Sequence, residues 1–175
     1  MRILIVSDTH GTHGYLNDAL EQIGEIDMFI HLGDILSGFE YINNVVKCEK
    51  YMIAGNGDRP LFVPSEMQKE MEFMIGSKKV FITHGHKYLT IWGAKETDGL
   101  FEEGRKRGVD IVMFGHTHKP FLEILPDITV LNPGSLAYPR QGDRKPSFIL
   151  MEMDENRPIK YTIYYRKNSG EFSGK

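Results

Sequence analysis

Side chains that can bind metal ions stand at the ends of five apolar segments of the chain. Each segment ends in a short group of small residues that includes an imidazole, a carboxylate or a carboxamide. The groups are Asp8 with His10, Asp34, Asn56 with Asp58, His84, and His116 with His118. Nitrogen and oxygen donors without a thiolate suit Mn, Fe, Co, Ni or Zn better than an all-oxygen Ca or Mg site. These residue types predict a site for borderline divalent metal ions.

Taken singly, each of these residues has an ordinary structural explanation. An Asp or Asn at the end of a strand is commonly a turn or capping residue, and a buried histidine is commonly a hydrogen-bonded core residue. Their recurrence argues for a shared site, because the carboxyl ends of strands in an α/β sheet converge on one edge. The predicted metal ligands are Asp8, His10, Asp34, Asn56, His84, His116 and His118. These are too many for one ion, so we predict two ions bridged by Asp34, an arrangement that suits hydrolysis of a phosphoester by in-line displacement.

The apolar pattern predicts the elements that position these side chains. Short apolar runs at 3–6, 28–30, 51–54, 80–82, 110–114 and 128–131 are typical of buried strands. Apolar residues spaced by three and four predict a helix after each of the first two strands, and a further helix is expected between 95 and 107. Alternating patterns predict hairpins that pair 71–75 with 80–82 and 147–153 with 159–166. Together these elements predict an α/β fold.

Length and composition are those of an ordinary globular protein. The chain has 175 residues, of which 41% are hydrophobic and 26% charged, and we expect one domain over 1–167 followed by a frayed polar tail over 168–175. A net charge of −3 offers no basic surface for a nucleic-acid polymer, and no apolar run approaches the roughly 20 residues that span a bilayer. We therefore expect neither nucleic acid nor membrane as a partner. The single cysteine and the lack of a signal-peptide pattern favour a cytoplasmic location.

The ordered motifs resemble those of the calcineurin-like metallophosphoesterases. They are Asp8-Thr9-His10, Gly33-Asp34, Gly55-Asn56-Gly57-Asp58, His84-Gly85 and Gly115-His116-Thr117-His118, within a match that runs from residue 3 to about 140. The short length is similar to that of the bacterial and archaeal phosphodiesterases of the YfcE/MJ0936 type. The resemblance implies a four-layer α/β/β/α sandwich of two mixed β-sheets and a phosphodiesterase or phosphatase that hydrolyses a small phosphoester. It also implies a homo-oligomer as an open possibility, either a dimer or a tetramer.

The resemblance also assigns roles to the ligands. One metal would be held by Asp8, His10, Asp34 and His118, and the other by Asp34, Asn56, His84 and His116. Manganese is the metal we expect, with Ni, Fe, Co and Zn as alternatives. A hydroxide that bridges the ions would attack phosphorus, Asn56 and His84 would orient the phosphoryl oxygens, and Asp58 would orient its neighbours. His31, which ends the second strand, is expected to support the ligands rather than to bind metal.

Gly57 departs from the family pattern. Many members carry a histidine at this position, which can protonate the leaving group or hold the phosphate, so its loss favours substrates whose leaving group needs little protonation. Candidate substrate-binding residues are Arg59, His13, His86 and Arg140, and an exposed or supporting role is the alternative for the first three. A second hypothesis is a non-catalytic metal-binding scaffold that binds a protein partner, as in the retromer subunit that resembles this family. Substrate choice would depend on the loops at 59–71 and 92–97.

Overall fold

The structure is a computed structural model that describes residues 1–89 and 95–175. The strands are β1 (Arg2–Val6), β2 (Met28–His31), β3 (Glu49–Met52), β4 (Glu70–Ile75), β5 (Lys78–Thr83), β6 (Ile111–Met113), β7 (Pro120–Ile124), β8 (Thr129–Pro133), β9 (Ser147–Asp154), β10 (Arg157–Arg166) and β11 (Phe172–Gly174). The α-helices are α1 (Gly14–Ile23), α2 (Phe39–Val45) and α3 (Asp98–Arg107), and a 3₁₀ turn (Leu36–Gly38) precedes α2. None of the described helices is long and apolar enough to cross a bilayer.

The strands form two mixed sheets. The six-stranded sheet has the order β11-β10-β9-β1-β2-β3, in which β1, β2 and β3 are parallel and the other neighbours antiparallel. The five-stranded sheet has the order β4-β5-β6-β8-β7, in which β5, β6 and β8 are parallel. Parallel strands bring their carboxyl ends to the same edge of a sheet. The loops that carry the predicted metal ligands all begin at such an edge.

Alternating side chains on the central strands build separate apolar cores. In β1, Ile3 and Ile5 face the core between the two sheets, which β5, β6 and β9 also line. Leu4 and Val6 point the other way, into the core that α1 and α2 cover. On the far side of the five-stranded sheet, Leu100 of α3 packs into a third core. The order of layers is therefore helices, sheet, sheet and helix, which confirms the predicted four-layer sandwich.

The prediction of a frayed tail is wrong for its last part, because residues 172–174 form β11. This strand pairs with β10, and the Phe172 side chain is buried with its ring 4.7 Å from that of Phe148. The Gln22 side chain fixes the backbone of Phe172: its Nε2 donates to the carbonyl at 2.7 Å and its Oε1 accepts from the N–H at 2.6 Å. The buried Phe172 ring and the two hydrogen bonds from the Gln22 amide thus order a polar segment.

Three other elements differ from the prediction. Strand β7 has no counterpart in the sequence analysis, because it is a partly exposed edge strand that begins with a proline. Strand β3 occupies 49–52 rather than 51–54, since Ala54 N already donates to Gln68 O outside the sheet. Helix α3 begins at Asp98 rather than near 95. The loop at 92–97, which includes Trp92, lies partly outside the described residues.

Candidate metal centre

The loops that follow β1, β2, β5 and β6 meet at one edge of the sandwich. Asp8 N donates to Gly33 O at 3.0 Å and Gly115 N donates to His84 O at 3.2 Å, which ties neighbouring loops within each sheet. Two further hydrogen bonds cross between the sheets: His116 N donates to Asp8 Oδ2 at 3.1 Å, and His84 Nδ1 donates to Leu32 O at 2.7 Å. The predicted ligand groups of both sheets therefore share one site.

Four of the predicted ligands surround a common point. Asp8, His10, Asp34 and His118 offer donor atoms that all lie within 4.8 Å of one another. His10 Nε2 is 3.9 Å from both Asp8 Oδ1 and Asp34 Oδ2, and His118 Nε2 is 3.0 Å from Asp8 Oδ1. Two carboxylates and two imidazoles at this spacing are a suitable donor set for a borderline divalent ion.

Two buried atoms of the centre, Asp8 Oδ1 and His84 Nε2, lack a hydrogen bond of good geometry among the described residues, and His118 Nε2 lies 3.0 Å from Asp8 Oδ1. Both side chains are fully buried, where an unsatisfied polar atom costs about 1–3 kcal/mol. Because Leu32 O can only accept, the hydrogen bond that it forms with His84 puts the proton of the neutral ring on Nδ1 and a lone pair on Nε2. A carboxylate oxygen and an imidazole lone pair without partners fit a bound cation.

Asp34 stands between two sets of imidazoles. Its Oδ1 lies 3.6 Å from His84 Nε2, and its Oδ2 lies 3.9 Å from His10 Nε2. The N–H of Gly57 donates to Oδ1 at 2.7 Å and fixes the orientation of the carboxylate. The two oxygens of the Asp34 carboxylate therefore face different imidazoles.

Five of the predicted ligands have a left-handed backbone. The φ angles are 54° for Asp8, 45° for His10, 55° for Asp34, 66° for His116 and 58° for His118. L-residues rarely adopt this conformation, which costs of order 1–3 kcal/mol for each residue. Only two other non-glycine residues in the described part of the chain share it, so the strain is concentrated at this site. Such concentration is typical of functional sites.

The protein environment favours the metal-binding protonation state of Asp8, His10 and His116, but not that of His118. Burial lowers the pKa of the His10 and His116 imidazoles, so both are neutral near pH 7. Burial opposes ionisation of Asp8, but the His118 and His84 side chains hold its pKa below the usual range. For His118, burial and the charge of Arg140 act to lower the pKa, yet the Asp8 carboxylate outweighs them and raises it. A cation at His118 therefore displaces a proton.

Asp58 connects two of the loops. Its Oδ1 accepts from Leu36 N at 2.6 Å and its Oδ2 accepts from Gly55 N at 2.8 Å, which fits the orienting role expected from the sequence. Gly55 itself is required by close packing, because a Cβ at this position would collide with the Asp34 carboxylate. The third motif is therefore held tightly against Asp34.

His31 supports the metal centre through hydrogen bonds to residues that neighbour the ligands. It is fully buried, its Nδ1 accepts from Gly33 N at 3.2 Å, and its Nε2 donates to Thr9 Oγ1 at 3.0 Å. Burial lowers the pKa of this imidazole to about 4. Both ring nitrogens are occupied by protein partners, which fits a supporting role and leaves no lone pair for a metal.

Three supporting residues escaped the sequence analysis. Ser7 Oγ donates to Asp8 Oδ2 at 2.6 Å, and Ser135 Oγ donates to Asp8 O at 2.8 Å. The carbonyl of Tyr138 accepts from His118 Nδ1 at 2.6 Å. Ser7 directly precedes the first ligand, so its position was an available signal. A backbone carbonyl such as that of Tyr138 leaves no residue pattern to detect.

The other predicted ligands lie beside this cluster. The His116 ring is 5.2 Å from that of His84, measured between centroids. Asn56 occupies an exposed turn between Gly55 and Gly57, next to the segment that contacts Asp34. The structure therefore brings His116 against His84 and leaves the Asn56 carboxamide accessible to a ligand.

Of the four candidate substrate-binding residues, two have contacts with predicted metal ligands. His86 and Arg140 lie near the centre: the His86 ring is 5.7 Å from His84 and 5.8 Å from His116, and Arg140 N donates to His118 O at 3.0 Å. Arg59 is exposed and follows Asp58 directly. His13 lies at the start of α1, where its ring stacks on Tyr41 of α2 at 3.9 Å.

Comparison with known proteins finds phosphoesterases in both the family models and the curated relatives. Residues 1–156 match the calcineurin-like phosphoesterase superfamily domain. The probable metallophosphoesterase YsnB of Bacillus subtilis is 30% identical over 159 residues, which is 89% of this chain and 86% of YsnB. Phosphodiesterase MJ0936 of Methanocaldococcus jannaschii is 32% identical over 149 residues, which is 77% of this chain and 83% of the relative.

Among solved structures, wild-type Vps29 from Entamoeba histolytica in complex with zinc has a similar fold. Its TM-score is 0.79 at 25% identity, and the match covers 100% of this chain and 97% of Vps29. The site geometry and these relatives agree on the class of protein. The chain belongs to the calcineurin-like phosphoesterase superfamily and is a metal-dependent phosphoester hydrolase.

Proposed function

We propose that this protein is a phosphodiesterase that uses two divalent metal ions to hydrolyse a small phosphoester. The observation that carries the proposal is the position of Asp34, whose Oδ1 lies 3.6 Å from His84 Nε2 and whose Oδ2 lies 3.9 Å from His10 Nε2. The similarity to phosphodiesterase MJ0936 supports a diester rather than a monoester as substrate.

The seven ligands divide between two ions in this proposal. Asp8, His10, Asp34 and His118 would hold one ion, and Asp34, Asn56, His84 and His116 would hold the other. The 4.8 Å spacing of donor atoms supports the first set. The free lone pair of His84 and its contact with the His116 ring support the second. The donor types suit manganese, and nickel, iron, cobalt or zinc share the same preference.

The residues of the chain prepare the site for reaction at phosphorus. When bound, two cations neutralise phosphoryl charge and lower the pKa of coordinated water. The hydrogen bonds from His84 Nδ1 to Leu32 O and from His118 Nδ1 to Tyr138 O fix both rings, so the ligands are oriented before substrate arrives. The exposed carboxamide of Asn56 can donate to a phosphoryl oxygen through its NH₂ group.

Gly57 restricts the choice of substrate. It supplies a backbone N–H to Asp34 but no side chain to protonate a leaving group. The half-buried His86 is our candidate for the missing donor. Its ring is 5.8 Å from that of His116, and its Nδ1 has no partner among the described residues. We propose that His86 donates a hydrogen bond to the phosphoryl group and that esters with good leaving groups are preferred.

We also propose a cytoplasmic location and a small substrate rather than a nucleic-acid polymer. The single cysteine is consistent with a reducing cytoplasm. A chain of net charge −3 suits a small substrate held by metal ions better than a nucleic-acid polymer, which needs a basic surface. A dimer or tetramer remains a prediction that sedimentation of the purified protein will test.

The decisive test compares Asp34→Ala with a matched variant, Asp127→Ala. The Asp127 carboxylate is exposed and forms an ion pair with Arg105, and neither residue is a predicted metal ligand. Metal-stripped proteins are assayed on bis(4-nitrophenyl) phosphate and 4-nitrophenyl phosphate, with and without Mn²⁺. Diester turnover that returns with Mn²⁺, persists in Asp127→Ala and falls at least about 100-fold in folded Asp34→Ala is expected, since even partners of metal ligands are worth 10–100-fold.

A second candidate function is a metal-binding scaffold for a protein partner. The similarity to Vps29 and the absence of a histidine at Gly57 favour it. The same assay separates the two: metal bound at two ions per chain without turnover of either ester would contradict the phosphodiesterase and support the scaffold. The five left-handed ligands are expected of both candidates, because both bind metal, so turnover is the result that distinguishes them.

A further inference from the structure

A basic depression adjoins the metal centre on the side of His10 and His118. Ala137, Tyr138, Pro139, Arg140 and Arg144 line it, and its volume is about 610 Å³, within the range of roughly 300–1,000 Å³ that houses small ligands. The loop that forms it follows β8 and comes back to β9. None of its side chains is needed to hold the metal ions.

The depression is fixed directly to the metal ligands. The Tyr138 ring lies 5.1 Å from the His10 ring, and the Tyr138 carbonyl accepts from His118 Nδ1. Arg140 N donates to His118 O at 3.0 Å, and Ser135 Oγ accepts from Tyr138 N at 2.8 Å. The depression therefore lies directly beside the metal ligands, within reach of one arm of a diester whose phosphorus is at the centre.

The charge of the depression is opposite to that of the chain. The segment 137–145 carries three cationic side chains, Arg140, Arg144 and Lys145, against one carboxylate, Asp143, for a net charge of +2 in a chain of −3. Lys145 lies 3.7 Å from Asp143 and offsets it. Within residues 1–89 and 95–175, neither arginine of this loop forms an ion pair, whereas Arg105, Arg107 and Arg166 all do.

The loop also holds an aromatic surface and a strained backbone. Tyr138 is 58% exposed although it touches a buried site, so its ring is free to stack on a ligand. Arg144 has a φ of 48° and is one of two left-handed non-glycine residues outside the ligand set in the described part of the chain. Backbone strain of this kind persists where surrounding structure enforces it, commonly at ligand-binding loops.

We propose that this depression, defined by Tyr138, Arg140 and Arg144, binds the ester arm of a nucleotide-like phosphodiester that carries an aromatic ring and a second phosphoryl group. The ring stacks on Tyr138, and the second phosphoryl group binds the two guanidinium groups, which suit phosphate geometry. This inference rests on the proposed phosphodiesterase and specifies its substrate class.

The test uses three diesters with the Mn²⁺-loaded protein. Thymidine 3′-(4-nitrophenyl phosphate) is compared with the same ester bearing a 5′-phosphate, and bis(4-nitrophenyl) phosphate serves as the reference. The 5′-phosphate is expected to raise kcat/KM about tenfold or more, mainly through KM, since a hydrogen bond to a charged group of this kind commonly changes affinity by that factor. Arg140→Gln and Arg144→Gln reduce this ratio, and the double variant brings it close to one.

Controls separate the possible outcomes. Arg157→Gln, at the exposed first position of β10, keeps the ratio of the wild-type protein, and Tyr138→Ala raises KM for both thymidine esters relative to Tyr138→Phe. Equal kcat/KM for the two thymidine esters in wild-type protein overturns the inference alone. Failure to hydrolyse all three esters, including the reference, overturns the proposed function and this inference with it.

Discussion

Replacing Gly33 by alanine tests whether the packing of the loops holds the metal centre in place. Gly33 has a φ of 98°, and a Cβ built on it would lie 2.8 Å from His84 Nδ1 and 2.7 Å from Gly55 N. Ordinary van der Waals contact begins near 3.4 Å, so the His84 ring must move by about 0.6 Å. That movement disturbs the hydrogen bond to Leu32 O that orients the ring.

Two penalties combine in Gly33→Ala. The left-handed backbone costs an alanine about 1–2 kcal/mol, and overpacking a rigid site costs about 1–3 kcal/mol more. We therefore expect the free energy of unfolding to fall by about 2–5 kcal/mol. A misplacement of 1 Å in an active site can cost about 10²-fold in rate, so kcat/KM should fall at least about tenfold in the molecules that remain folded.

Gly108→Ala is the matched control. Gly108 also has a left-handed backbone, with φ 62° and ψ 42°, but a Cβ there meets nothing within 4 Å, so only the backbone penalty applies. Urea unfolding and Mn²⁺-dependent hydrolysis of bis(4-nitrophenyl) phosphate are measured for both variants. We expect Gly108→Ala to lose about 1–2 kcal/mol of stability and to keep its activity. Wild-type kcat/KM in Gly33→Ala, or equal stability loss in both variants, would refute the reasoning.

Three further predictions concern the supporting residues. Asp58→Ala leaves Leu36 N and Gly55 N without their acceptor, so we expect a loss of about 1–3 kcal/mol in urea unfolding and a higher Mn²⁺ concentration for half-maximal activity. His84→Ala should reduce bound Mn²⁺ from two ions to one per chain by elemental analysis, and two ions in this variant would argue against His84 as a ligand. Burial lowers the pKa of His31 to about 4 from 6.5, so the unfolded chain binds more protons between these values. Stability of the metal-free protein therefore falls by up to about 3 kcal/mol as pH drops from 6.5 to 4, and an equal fall in His31→Gln would contradict this explanation.

The elements that the sequence predicts best are those whose pattern is local. The run Ile3–Val6 and the ligands after it are adjacent in the chain, and the parallel pairing of β1 with β2 places Asp8 near Asp34 without further information. Glycines beside the ligands allow the close approach that the structure shows at Gly33. Convergence of the ligand groups within each sheet was therefore predictable from strand ends alone, whereas their meeting across the two sheets was not.

The features that the sequence analysis missed depend on contacts between distant residues. The order in β11 comes from Gln22, which lies 150 positions from Phe172 and has no distinctive pattern around it. The support that Asp8 receives from Ser135 crosses 127 positions. The basic depression likewise becomes visible only when the His118 backbone is seen to hold Arg140. Such contacts are decided by the packing of the two sheets rather than by local propensity.

The measurement that tests the central claim most directly is an anomalous difference map from crystals of the Mn²⁺-loaded protein. Two peaks about 3.5–4 Å apart, with Asp34 bound to both, His118 beside one and His84 beside the other, are the predicted result. A single peak among Asp8, His10, Asp34 and His118, with none beside His84, would contradict the two-metal site.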